Sequence, residues 1–70
     1  MTIETILYGK RALVRNEKEL KMHLRKQELV AAATAMSDQP ENPVFQNIVN
    51  KIIRVNRTIK ARGAYVQFLD

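Results

Sequence analysis

Apolar residues recur at helical spacing through residues 43–62. At about 100° per residue, they fall on one side of a helix, and most are spaced alternately by three and four residues. That alternation is typical of a helix that packs nearly parallel or antiparallel to another helix. The pattern therefore predicts a helix, here called helix two, whose apolar arc lies in the core. The residues of this arc are Val44, Phe45, Ile48, Val49, Ile52, Ile53, Val55 and Ile59.

Local signals set the bounds of helix two. Asn42 before Pro43 is a favourable start, because Asn accepts hydrogen bonds from unpaired backbone N–H groups and Pro has no N–H to leave unpaired. Gly63 follows Lys60 and Arg62, which favours a helix end, since Gly takes the left-handed conformation and cations interact with the last carbonyl groups. The sequence therefore predicts a loop at 37–42, helix two at 43–62 and an apolar tail at 63–70.

Two apolar stripes run along the first half of the chain. One consists of Leu13, Leu20, Leu24, Ala31 and Ala35, and the other of Met22, Leu29, Ala33 and Met36. Ile3 and Ile6 continue the first stripe in a 3.5-residue repeat, so we expect a single helix one from about residue 3 to residue 36. A helix with two apolar sides needs two neighbours. One is helix two, and we expect the other to be a second copy of the chain, contacted through Met22, Leu29 and Met36, unless the tails of the chain cover that side.

These elements predict an all-α fold. It is an antiparallel helical hairpin in a single domain of residues 1–70 that assembles with itself into a helical bundle with coiled-coil packing. The alternative is an α+β fold with short strands at residues 2–8 and 64–69, because Thr, Ile and Tyr are frequent in strands and Gly9 follows the first of these segments. In that case Asn16 and Glu19 would form a capping box at a later start of helix one.

Composition limits how such a chain can be stabilised. A domain of 70 residues buries only about 60% of the surface that its unfolded chain exposes. Small domains often add disulfides or a structural metal, but the chain has no Cys and one His, so self-association is the device that remains. The first residues lack the pattern of a secretory signal, and no segment reaches the roughly 20 apolar residues of a membrane span. We therefore expect a cytoplasmic protein that does not enter a membrane.

Catalytic chemistry finds little support in the residues present. Nucleophilic triads combine Ser or Cys with His and a carboxylate, but His23 and Ser37 would lie about 20 Å apart along a helix. We expect His23 to be a solvated imidazole on the helix surface. Glu17 and Glu19 are two residues apart and so on different helix faces, which does not suit a shared metal ion. We expect no enzyme activity, no cofactor and no metal site.

The distribution of charge is more informative than its total. The chain carries a net charge of +5, and helix two alone accounts for it, with five basic residues and no acidic one. Soluble surfaces normally mix both signs, so this basic face predicts contact with a polyanion. Lys and Arg side chains bind phosphate groups, and Asn side chains can hydrogen-bond them and fix their orientation. This combination indicates binding to the nucleic-acid backbone. The predicted contact residues are Lys51, Arg54, Arg57, Asn47 and Asn50.

This nucleic-acid interpretation has a competitor from another class of protein. The connection between the helices is too long and too rich in Pro for a helix-turn-helix, so any nucleic-acid binding would be mostly to backbone and sequence-tolerant. The alternative is a small regulatory protein, an adaptor or inhibitor, that docks on an acidic protein surface. Met22, Leu29 and Met36 would then be contact residues, because Met adapts to varied partners.

Overall fold

The computed structural model describes residues 2–69, which form two helices and a three-stranded antiparallel sheet. The elements in chain order are β1 (Ile3–Leu7), β2 (Lys10–Val14), α1 (Glu17–Ala35), α2 (Pro43–Arg62) and β3 (Gln67–Phe68). The sheet order is β1-β2-β3, so the segment near the end of the chain pairs with the N-terminal hairpin. The predicted all-α fold is wrong, and the α+β alternative fits.

The hairpin forms because the chain reverses at Tyr8 and Gly9. Both residues have positive φ, 54° and 74°, and the flanking Leu7 and Lys10 pair across the ladder. Positive φ at both central residues is the two-residue turn whose twist matches that of paired strands. A right-handed helix cannot continue through two such residues, which rules out the predicted helix from residue 3. The second strand, β2, lies where both sequence interpretations had no strand.

Asn16 determines where α1 begins. Its backbone is extended, and its side-chain oxygen accepts a hydrogen bond from the Glu19 N–H at 3.0 Å. The Glu19 carboxylate accepts from the Arg15 N–H at 2.9 Å, one residue before the position used in a reciprocal capping box. Helix one is therefore a helix of 19 residues that follows a hairpin.

The ends of α2 have the local structure that their residues favour. The Asn42 side chain accepts from the Val44 N–H at 2.9 Å, and Pro43 occupies the first turn. At the other end Gly63 has φ 59°, its N–H donates to the Lys60 carbonyl, and the next N–H donates to the Ile59 carbonyl. This is the Schellman arrangement, which satisfies carbonyl groups that a helix end leaves unpaired.

The core lies between the sheet and α1. Leu7, Ala12 and Val14 are the fully buried apolar side chains of the described chain, and the strand register places them on the same face of the sheet. The hairpin packs on α1, where the Gln27 side chain accepts from the Tyr8 N–H at 2.7 Å. The buried residues of α1 are Glu19 and His23, which lie on the same side of the helix as Gln27 at four-residue spacing. None of the residues of the two predicted stripes is buried.

Helix α2 occupies a less sheltered position. Backbone approaches within 8 Å join it to α1 and to no strand, and none of its residues is buried. The described residues span 43 × 25 × 15 Å, so the helix pair extends well beyond the sheet. Within residues 2–69, neither helix combines the length and apolar character needed to cross a membrane.

Candidate functional site

A groove of about 330 Å³ runs between α1 and α2. Two of its lining residues, Met22 and Val55, are apolar and half-buried, whereas Arg25, Lys51 and Arg54 are exposed cations. We call this feature the basic groove. Its lining residues are Met22, Arg25, Lys51, Arg54, Val55 and Thr58.

Helix geometry explains why these residues meet. Residues three and four apart lie on the same side of a helix. Met22 and Arg25 are three apart on α1, and Lys51 shares its side of α2 with Arg54, Val55 and Thr58 at the spacings of three, four and seven. Because α2 packs along α1, the two sides form opposite walls of one groove.

No described carboxylate neutralises the basic groove. Within residues 2–69, ion pairs form between Arg11 and Glu4 and between Arg15 and Glu19, and neither involves a groove residue. No acidic side chain lines the groove. Thr58 donates its hydroxyl to the Arg54 carbonyl at 3.1 Å, which leaves the hydroxyl oxygen as an acceptor only. Three cations therefore share one groove without a counter-charge, an arrangement that suits an anion.

The structure divides the predicted contact residues into two groups. Lys51 and Arg54 line the basic groove, whereas Arg57 and the two Asn residues, Asn47 and Asn50, are exposed elsewhere on α2. Of the predicted partner contacts, Met22 lines the groove, and Leu29 and Met36 are half-buried along α1 outside it.

Arg25 is the groove cation that the sequence-based prediction omitted. The omission has a physical reason: periodicity shows which residues share a side of one helix, but it does not show which side faces the neighbour. The available signal was its position three residues after Met22, a residue already expected at an interface.

A second cluster of charged groups fastens the C-terminal segment to α1. The Glu19 carboxylate is 5% exposed and accepts from the Arg15 guanidinium at 2.6 Å and from the Tyr65 N–H at 2.8 Å. Arg15 also donates to the Gly63 carbonyl at 2.9 Å, and its guanidinium carbon lies 5.5 Å from the centre of the Tyr65 ring. The hydrogen bonds from Arg15, followed by that from Tyr65, lower the pKa of Glu19 to about 2. A carboxylate held this way remains ionised, so the cluster joins α1 to the chain after α2.

His23 lies one turn beyond Glu19 and is buried, which corrects the expectation of a solvated imidazole. It is 6% exposed, and its Nε2 atom has no hydrogen-bond partner. Burial, the largest cause, lowers the pKa of His23, because charging the ring would remove an ion from water. The imidazole is therefore neutral at pH 7 and contributes no charge to the basic surface.

Two further observations complete the description of the site. Across residues 2–69, no group of three or more His, Asp or Glu side chains is arranged so that it could hold a metal ion. No family model, curated protein or solved structure matches the chain. The chemistry of the basic groove is therefore the basis on which a function can be argued.

Proposed function

We propose that this protein is a non-enzymatic binding protein that holds the phosphate backbone of nucleic acid in the basic groove. The observation that supports the proposal is the convergence of Arg25, Lys51 and Arg54 on a groove without an acidic side chain. Arg pairs with phosphate through two parallel hydrogen bonds, and Lys acts as a point charge. Contacts between cations and phosphate groups carry no sequence information, so we expect the binding to tolerate different sequences.

The number of cations gives the strength of the salt dependence. Each phosphate neutralised on duplex DNA contributes about −0.9 to the slope of log affinity against log salt. Three contacts per chain give a slope of about −2.7, which is an affinity loss of about 40-fold between 50 and 200 mM salt. Single-stranded nucleic acid has a shallower dependence, about −0.7 per phosphate.

Fluorescence anisotropy tests the proposal with a labelled random-sequence duplex and a labelled single strand, each titrated at several salt concentrations. The informative variants are Arg54→Gln and Arg57→Gln, which remove one charge each from exposed positions of the same helix. Arg54 lines the groove and Arg57 does not. We expect Arg54→Gln to weaken binding and to reduce the slope by about 0.9, and Arg57→Gln to leave the slope near that of the wild type.

Equal effects of the two variants would show that general positive charge, and not the groove, attracts the probe. No binding to either probe at the lowest salt concentration would overturn the nucleic-acid proposal. The next candidate is then an acidic protein surface, which the half-buried apolar side chains of Met22 and Val55 in the groove favour. We also propose that the protein is cytoplasmic, a location that imaging of a fluorescent fusion would test.

A further inference from the structure

The apolar arc of α2 is only partly covered within the chain. The helix has 20 residues, and not one of them is buried. Ile53 is 44% exposed and Val49 is half-buried. An amphipathic helix normally hides its apolar side, because each exposed apolar group forfeits the free energy of leaving water.

The exposed area is larger than expected for a monomer of this mass. A folded chain of 8.1 kDa is expected to expose about 4500 Å², whereas this one exposes 5292 Å². The excess, about 800 Å², is summed over the whole described chain, and it is comparable with the share of one partner in a protein interface of standard size. The radius of gyration, 13.2 Å, also exceeds the value of about 11 Å expected for a compact domain of 70 residues.

Ile53, an exposed residue of the apolar arc, lies away from the basic groove. Ile48, Ile52 and Ile59 are half-buried in the middle of the apolar arc, and the groove residues Lys51 and Arg54 lie to one side of it. Helical projection places Phe45, Val49 and Ile53 on the other side of the arc, together with Asn56 and Lys60. We call these five residues the outer face of α2.

We propose that a second copy of this chain covers the outer face, with the two α2 helices antiparallel. The loop before α2 is acidic, with Asp38 and Glu41, and the last turn of α2 is basic at Lys60, which lies on the outer face. None of these three residues forms an ion pair within the described chain. Antiparallel packing brings each acidic loop to the basic end of the other helix, whereas parallel packing places like charges together.

The polar face of α2 also restricts how two copies can meet. Its basic residues have no acidic neighbour on the helix, so two such faces repel each other. The outer face carries one basic residue, Lys60, at its end, so a second copy meets less repulsion there than at the polar face. The pairing leaves both basic grooves open, and it does not depend on what they bind.

Sedimentation equilibrium over a dilution series tests the pairing. We expect the wild-type chain to show a mass of about 16 kDa, twice that of one chain, with dissociation on dilution. Ile53→Glu places a charge in the outer face and should shift the mass to that of one chain. The matched control is Val44→Glu. Val44 is 55% exposed and lies on the side of α2 opposite Ile53, so this variant should leave the dimer intact.

A pair of surface charge reversals tests the antiparallel arrangement and does not depend on how the apolar variant folds. Lys60→Glu and Glu41→Lys should each increase the dissociation constant, because each places like charges at both ends of the interface. The double variant restores opposite charges and should recover the wild-type dissociation constant. Additive losses in the double variant, or one-chain mass for the wild type at every concentration, would overturn the proposal. In the latter case the outer face would belong to a different protein.

Discussion

Truncation of Leu7 tests the hairpin more sharply than any other single change. Leu7 is fully buried against α1, and the next residue toward the N-terminus, Ile6, is 64% exposed. Leu→Ala in a core typically costs about 2–5 kcal/mol, because apolar contacts are lost and a cavity is left. A domain of 70 residues is stable by roughly 3.5–10 kcal/mol. Leu7→Ala should therefore remove a large fraction of the stability of the fold.

The matched control is Ile6→Ala, which changes the adjacent residue on the solvent side of the same strand. We expect this variant to stay within about 0.5 kcal/mol of the wild type, as is usual for exposed positions. Thermal unfolding followed by far-UV circular dichroism measures both, at one protein concentration because self-association shifts the midpoint. At about 4–8 °C per kcal/mol for a domain of this size, Leu7→Ala should lower the midpoint by at least about 8 °C.

The same pair of variants distinguishes the strand from the helix that the sequence first suggested. A helix from residue 3 would place Ile6 and Leu7 on the same side as Ile3, three and four residues further along, so the two truncations would then have similar effects. A loss of stability for Ile6→Ala as large as that for Leu7→Ala would therefore refute the hairpin and its register.

Three other changes follow from the same structure. Glu19→Gln should make the urea midpoint of unfolding depend less on pH in the acid range. The lowered pKa of Glu19 stabilises the wild type above about pH 4.5, and this stabilisation is lost as the pH falls toward 2. His23→Leu should reduce the dependence of stability on pH below about 6.5, because the unfolded chain protonates this imidazole before the folded chain does. If stability changes with pH there as it does in the wild type, His23 has no role in the pH dependence. Gly63→Ala should cost about 1–2 kcal/mol, because φ is 59° and nothing crowds an added methyl group; Gly63→Asn should cost less.

Helix α2 illustrates what a sequence can determine by itself. Its start at Asn42 and Pro43 and its end at Gly63 depend on hydrogen bonds and backbone angles within a few residues. Its apolar arc is long enough to distinguish a helical period from the period of a strand. The same local information located its basic residues, two of which, Lys51 and Arg54, line the groove.

The N-terminal hairpin illustrates the opposite case. Ile3, Ile6 and Leu13 fit a helical repeat, and apolar runs as short as these two strands do not separate the two periods. The decisive feature is the turn at Tyr8 and Gly9, where a residue other than Gly takes positive φ. The β2–β3 ladder, moreover, joins residues more than fifty positions apart, so no local pattern specifies it.

Tertiary structure also determined which charges act together. Arg25 and Arg57 are both exposed basic residues on amphipathic helices, yet one lines the groove and the other does not. The helical period places each residue around its own axis. Which side of the helix faces its neighbour depends on side chains from distant parts of the chain. The basic character of the surface was therefore readable from the sequence, whereas the groove required the packing of α1 on α2.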